Sequence, residues 1–286
     1  MADETDPTRS TNPAFDRRTF VGISAAAATG IAAGGRARAT GFGATHPPIV
    51  AENDPGIVTQ HLTLRRPDIA LPAYAAWPKR ATETTPAIVV TMHIWGVDTS
   101  IRDVVRRYAR LGYIAIAPDL YARSNEPSGD GVGDIDVFRP FAKALVPKQV
   151  EGDLRAAALW CQAARPQPKI GITGFCMGGT LVLDQTIANA DIFAAAAPFY
   201  GAVAKIDPAK VRVPICGSWG GRDTSIPSDG VLAFGRALAV PHDIKIYPEA
   251  GHGFFDDQRG AYVASAAEDA WVRTVGFFRK HVGAPA

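Results

Sequence analysis

Cys176, Asp223 and His252 are the residues whose types and spacing could do chemistry together, and that chemistry would be acyl transfer. Cys176 is the centre of Gly174-Phe175-Cys176-Met177-Gly178, between an apolar run from Lys169 and a helical run from Gly178. A strand that turns sharply into a helix needs residues without bulk two places to either side of the turn. The same turn sets the sulfur at a helix N-terminus, where partial positive charge favours a thiolate. It also directs the following amide, that of Met177, at the place where an oxyanion would form. Asp223 follows the apolar segment from Pro214 to Trp219 and a Gly-Gly turn, and His252 follows Ile246-Tyr247 in a loop. Each residue has a plainer alternative. A cysteine can be a small buried hydrophobe, an aspartate after glycines can be a turn residue or helix cap, and a loop histidine can simply be exposed. Their order (nucleophile, acid, base), with each just past a strand, favours the catalytic reading, in which His252, oriented by Asp223, takes the thiol proton.

The elements that must position these residues are legible as alternating strands and helices. Residues 57–64 read as a strand by their β-branched content and 70–77 as its hairpin partner. Residues 87–92 form a continuous apolar run, as expected of a strand covered on both faces. In 101–111 the residues Ile101, Val104, Val105, Tyr108 and Leu111 share a helical face, and Gly112 ends that helix. The spacing then predicts a strand over 113–117, a long loop over 121–135, a helix over 148–164, a strand over 169–173 and a helix over 178–190. Strands over 193–199 and 213–219, a helix over 228–239, a strand over 243–247 and a helix over 261–281 follow. This alternation predicts a single α/β domain over 57–282, with a mainly parallel central sheet and helices on both faces.

At this level of detail the chain resembles the dienelactone hydrolase family (carboxymethylenebutenolidase-like proteins) within the α/β-hydrolase superfamily. The resemblance is carried by Gly174-Phe-Cys-Met-Gly-Gly179, Ala117-Pro-Asp-Leu-Tyr-Ala-Arg123, the Ile94-Trp95-Gly96 turn, Glu249-Ala-Gly-His-Gly-Phe254 and Ala261-Tyr-Val-Ala-Ser-Ala-Ala267. It implies an α/β-hydrolase fold and hydrolysis of an ester or lactone through a thioester on Cys176, with the Ile94 and Met177 amides as oxyanion donors. His93, Trp95, Tyr121 and Arg123 are the expected contacts to substrate or thiol. Two positions depart from the family. It usually carries a glutamate that contacts the resting thiol where this chain has His93. Members acting on the dienelactone also carry an arginine four residues after the catalytic histidine, where this chain has Asp256. Imidazole cannot act as an acceptor-only group, so His93 is expected either to keep the thiol partly ionised or to hydrogen-bond substrate. A carboxylate at 256 cannot bind a substrate carboxylate, which points away from dienelactone itself; Arg123, Arg139 or Arg259 could compensate. A general carboxylesterase or thioesterase of the same fold, or a non-catalytic protein that kept the pocket, are the competing readings.

The bulk properties narrow the partners. The chain has 286 residues, a net charge of +2 and no Lys/Arg-rich run, which argues against nucleic acid as a partner. Three cysteines do not make a disulfide framework, and six histidines show no paired ligand spacing, so neither a metal nor a cofactor is expected. Asp16-Arg17-Arg18-Thr19-Phe20, the uncharged stretch from Val21 to Gly35 and Ala37-Arg38-Ala39 read as a twin-arginine export signal over residues 1–39. Its apolar stretch is too short for stable membrane insertion. Residues 40–56 read as a flexible lead-in. The expectation is a periplasmic monomer acting on a small-molecule ester or lactone.

Overall fold

The computed structural model describes residues 46–124, 126–163 and 169–284; the export signal read over 1–39 lies outside them. Eight strands form one sheet in the order β1-β2-β4-β3-β5-β6-β7-β8. β1 (Ile57–Arg65) and β2 (Ala70–Pro78) make an antiparallel hairpin in register from Ile57 opposite Pro78 to Arg65 opposite Ala70. β2 runs antiparallel to β4 (Ile114–Pro118). From β4 onward all neighbours are parallel: β3 (Ala87–Thr91), β5 (Ile170–Phe175), β6 (Phe193–Phe199), β7 (Ile215–Gly220) and β8 (His242–Tyr247). The continuous apolar runs end up where both faces are covered, since every residue of β3, β4, β5 and β7 is buried. The helices are α1 (Thr99–Arg110), α2 (Arg139–Ala144), α3 (Pro147–Ala163), α4 (Met177–Ala188), α5 (Ser228–Ala237) and α6 (Ala264–His281). None in the described residues is long and apolar enough to cross a membrane.

Three expectations are corrected. The long loop after β4 is followed by a helical turn over Ile135–Val137 and by α2, a region where the sequence reading found no structure. Asp134 accepts the Asp136 amide to start the turn, and a proline in the first turn of α2 fits because that position has no helical acceptor to satisfy. The last helix starts at Ala264 rather than at 261, because the Val263 amide pairs with the Phe254 carbonyl and holds the preceding residues in a turn. β7 starts at Ile215 rather than at 213, after a proline that has no N–H to give to a ladder.

The described part of the lead-in is fastened down. The amides of Ile49 and Val50 each donate to one oxygen of Asp103, 2.9 Å in both cases. Arg106 donates to the Val50 carbonyl at 2.6 Å and to Glu52 at 2.6 Å, and the Tyr74 hydroxyl reaches Glu52 at 2.7 Å. Asp103 and Arg106 are buried on α1, and the strap adds to the bonds that Arg107 gives Asp103 and Arg106 gives the Tyr74 hydroxyl.

Candidate active site

All the loops that carry candidate residues leave the carboxyl ends of the parallel strands, the edge of such a sheet where ligands bind. β5, in the middle of the sheet, ends at Phe175, and α4 begins at Met177. Between them Cys176 has φ 56° and ψ −119°, a left-handed conformation for a residue with a side chain. Such a backbone costs about 1–3 kcal/mol and persists only when its surroundings enforce it. Here the enforcement is backbone against backbone. A Cβ on Gly174 would stand 2.6 Å from the Gly178 carbonyl oxygen, one on Gly178 would stand 2.4 Å from that of Met92, and one on Gly179 would stand 2.3 Å from that of Phe199. The Cys176 amide donates to the Phe199 carbonyl at 3.1 Å and closes the turn onto β6. Phe175, beneath it, stacks on Phe255 with centroids 5.1 Å apart.

Asp223 and His252 meet beside Cys176. Asp223, three residues past β7, turns Oδ2 to Nδ1 of His252 at 2.7 Å, while its Oδ1 accepts the amides of Ser225 and Ile226 at 2.8 and 3.1 Å. Burial works against the charged carboxylate, but the bond and charge of His252 and the two amides outweigh it and hold Asp223 below the usual carboxylate range. His252, in the loop after β8, also interacts with the Cys176 sulfur. Burial disfavours the imidazolium, yet Asp223 and Cys176 together push His252 up to about 10. The other two cysteines lie buried, and burial pushes the Cys216 thiol up to about 11.

The two segments expected to carry the oxyanion donors are the start of α4 and the turn after β3. Met177 is the first residue of α4, where an amide has no helical acceptor. Ile94 lies in a tight turn after β3. The Gly96 amide donates to the His93 carbonyl at 3.2 Å and the Trp95 amide to His93 Nδ1 at 3.1 Å, and neither bond uses the Ile94 amide. Tyr121 is buried, and its hydroxyl donates to the Ile94 carbonyl at 3.0 Å and lies 3.5 Å from the Met177 sulfur. It thus ties the turn of Ile94 to the start of α4. Burial, with Cys176 nearby, pushes its hydroxyl well above the usual tyrosine range. The loop after β4 packs on the turn as well, where a Cβ on Gly129 would stand 2.0 Å from the Trp95 carbonyl oxygen.

Other expected contacts are corrected. Arg123 binds Asp153 at 2.6 Å and Asp68 at 2.7 Å, so its guanidinium braces the fold instead of awaiting substrate. Arg139 is exposed and pairs with Asp136. Arg259 lies 3.6 Å over the Trp95 ring and pairs with Asp98 at 2.8 Å and Asp256 at 3.2 Å. His93 has Nδ1 engaged by the Trp95 amide and Nε2 within 3.2 Å of Asp98 and 3.7 Å of Asp256.

Sequence reasoning missed Tyr200. It follows β6 with φ 37°, its amide donates to the Ser218 carbonyl at 2.8 Å, and its ring lies 5.1 Å from that of His252. Burial, then Asp256 and Cys176, push its hydroxyl well above the usual range. Its signal was its place one residue past the strand beside β5. Asp98 was also missed; it caps α1 by accepting the Ser100 and Ile101 amides. Among the described residues no three His, Cys, Asp or Glu side chains are grouped so as to hold a metal ion.

Residues 71–282 match the model of the dienelactone hydrolase family. The chain is 35% identical over 251 residues to a protein of Escherichia coli K12 named "Putative carboxymethylenebutenolidase", covering 82% of this chain and 92% of that one. A protein of the same name from Methylorubrum extorquens is 33% identical over 268 residues, with 85% and 90% covered. The crystal structure titled "Putative Dienelactone Hydrolase" from Klebsiella pneumoniae superposes with a TM-score of 0.73 at 31% identity, covering 79% of this chain and 99% of that one.

Proposed function

From the premise that this chain belongs to the dienelactone hydrolase family and is a hydrolase with the α/β-hydrolase fold, we propose that it cleaves an ester or lactone through a thioester on Cys176. The observation that carries this reading is the Asp223–His252 bond of 2.7 Å behind a cysteine held on a strained turn at the start of α4. The thiol proton passes to His252, whose Nδ1 is held by Asp223. The thiolate attacks the carbonyl carbon, and the Met177 and Ile94 amides receive the oxyanion. The C–O bond then breaks and the imidazolium gives its proton to the leaving oxygen. In the second half His252 takes a proton from water, the hydroxide attacks the thioester, and the C–S bond breaks to return the thiolate. Esters of enols and phenols suit this nucleophile, because a thiolate is expelled more readily than an alkoxide.

Incubation with p-nitrophenyl acetate and with a simple enol lactone tests the proposal. The expected result is turnover by the wild type, loss in Cys176→Ala, and an acetyl adduct on Cys176 by mass spectrometry after rapid quenching. Turnover that survives in Cys176→Ala would overturn it.

The same reading has the protein exported as a folded monomer by the twin-arginine route, on the strength of Arg17-Arg18 and the small residues at Ala37 and Ala39. Fractionation of the full chain and of Arg17→Lys/Arg18→Lys tests the route. Equal retention in the cytoplasm would refute it, and sedimentation of the exported protein tests the monomer.

A further inference from the structure

His93, Asp98, Asp256 and Arg259 form a buried charged cluster beside the triad that the mechanism above does not use. Two of the four are the departures noted in the sequence, and the structure brings them within 3.7 Å of each other. A glutamate at 93 would stand with Asp98 and Asp256 as a third carboxylate facing the single guanidinium of Arg259. The histidine removes that conflict.

The ring of His93 has a defined hydrogen-bonding state in this setting. Nδ1 accepts the Trp95 amide at 3.1 Å, a role open only to a ring nitrogen without a proton, which leaves Nε2 as the N–H. Nε2 lies 3.2 Å from Asp98 Oδ1 and 3.7 Å from Asp256 Oδ2, close to both carboxylates but without hydrogen-bond geometry to either. The two carboxylates are balanced by Arg259, by the Ser100 and Ile101 amides at the start of α1, and by the Ser100 hydroxyl, which donates to Asp256 at 2.8 Å. This cluster links three segments: the turn that carries Ile94, the N-terminus of α1, and the loop that carries His252 four residues before Asp256.

Resting on the reading that Cys176 is acylated, we infer that His93 is a positioning residue of the oxyanion hole. It acts by accepting the Trp95 amide and so fixing the turn, not by contact with the thiol. With the Trp95 and Gly96 amides both held by His93, the Ile94 amide remains available to the oxyanion. Asp98, Asp256 and Arg259 hold the ring in the tautomer that makes this possible.

The experiment separates thiol reactivity from oxyanion stabilisation. Alkylation of Cys176 by iodoacetamide, read by peptide mass spectrometry, needs a thiolate and no oxyanion hole; acetylation by p-nitrophenyl acetate needs both. In His93→Ala the acetylation rate is expected to fall about 10- to 100-fold with KM little changed, while the alkylation rate stays at the wild-type value. His93→Asn, whose side-chain oxygen stands near the place of Nδ1, should restore most of the rate. His93→Gln, which reaches instead to the place of Nε2, should not. Alkylation that falls in step with acetylation, or an asparagine variant no better than alanine, would overturn the inference. Should the wild type acetylate on no ester, the proposed function fails and the inference falls with it; where it does acetylate, nitrogen NMR of the labelled imidazole tests the inference alone. A neutral ring protonated on Nε2 upholds it, whereas a ring protonated on Nδ1 or on both nitrogens refutes it.

Discussion

Oδ2 of Asp223 lies 2.7 Å from Nδ1 of His252, and the other oxygen of the same carboxylate is held by two backbone amides. An acid fixed this way sets both the tautomer and the direction of the imidazole. Asp223→Asn keeps the shape but offers an N–H where an acceptor is needed. kcat should fall by about 10^3-fold or more with little change in melting temperature. Steady-state kinetics on p-nitrophenyl acetate check this, and a fall of less than tenfold would mean that His252 is oriented by something else.

The pH profile follows from the same pair. His252 keeps its proton up to about 10 in the free enzyme. The leaving oxygen takes that proton, so the alkaline limb of kcat/KM should lie near pH 10 in the wild type and move towards neutrality in Asp223→Asn. The sign for stability agrees. A raised histidine contributes fully below its ordinary value near 6.5, and its contribution is lost as pH rises through about 10. A wild-type alkaline limb below pH 8 would contradict the assignment.

What could be read in the sequence and what could not divide along a physical line. β3, β4, β5 and β7 were legible because burial on both faces demands continuous apolar runs, and the turn at Cys176 was legible because backbone contacts demand glycine. α2 was not, since it has six residues and none of them is buried, so no apolar stripe marks it. The partners of His93 were not legible either. Asp98 is five residues away and Asp256 lies 163 residues on (256 − 93), and only the fold brings them to one place. The pairing of Arg123 with Asp68 and Asp153 was likewise not legible, because an arginine in a loop near a site looks the same in sequence whether it binds substrate or carboxylates of the fold.

The glycine requirement has a built-in control. Gly178→Ala puts a Cβ 2.4 Å from a backbone oxygen that cannot yield, whereas Gly230, within α5, has nothing within 4 Å of the same atom. Urea denaturation should show Gly178→Ala destabilised by about 3 kcal/mol or more, or unable to fold. Gly230→Ala should be stabilised by about 0.5–1 kcal/mol. Equal stabilities would remove the argument that close backbone approach sets the turn.

Tyr121→Phe removes one hydroxyl and leaves the Ile94 carbonyl without its donor. The expected cost in stability is about 1 kcal/mol. The larger effect should be on kcat/KM, about tenfold, because the turn bearing the Ile94 amide loses its tie to the Met177 side. An unchanged kcat/KM would show that the turn needs no such tie.

Asp119 and Glu126 lie near each other in the loop after β4, and partial burial together with the Asp119 carboxylate pushes Glu126 up to about 7. A raised carboxyl pKa means the folded state holds the proton longer, so this loop loses stability as pH rises from about 4.5 through about 7. Glu126→Gln should therefore raise the melting temperature at pH 8 by a few degrees, the effect reduced by the group's partial exposure, and leave it unchanged near pH 4. Equal shifts at both values would argue against a titrating pair.

The strap from Ile49 to Glu52 has a practical meaning for anyone who manipulates this protein. Two of its amides donate to Asp103 and its glutamate pairs with Arg106, both of them inside the molecule, so the working amino edge of the domain lies upstream of the first strand. A maturation protease that trims up to residue 45 leaves that edge intact. One that cuts at 56 removes two amide donors from Asp103 and the Glu52 partner from Arg106, leaving Asp103 to Arg107 and Arg106 to the Tyr74 hydroxyl. An affinity tag or fusion junction belongs on the upstream side of His46, and shorter designs that begin at the first strand should be recovered in inclusion bodies.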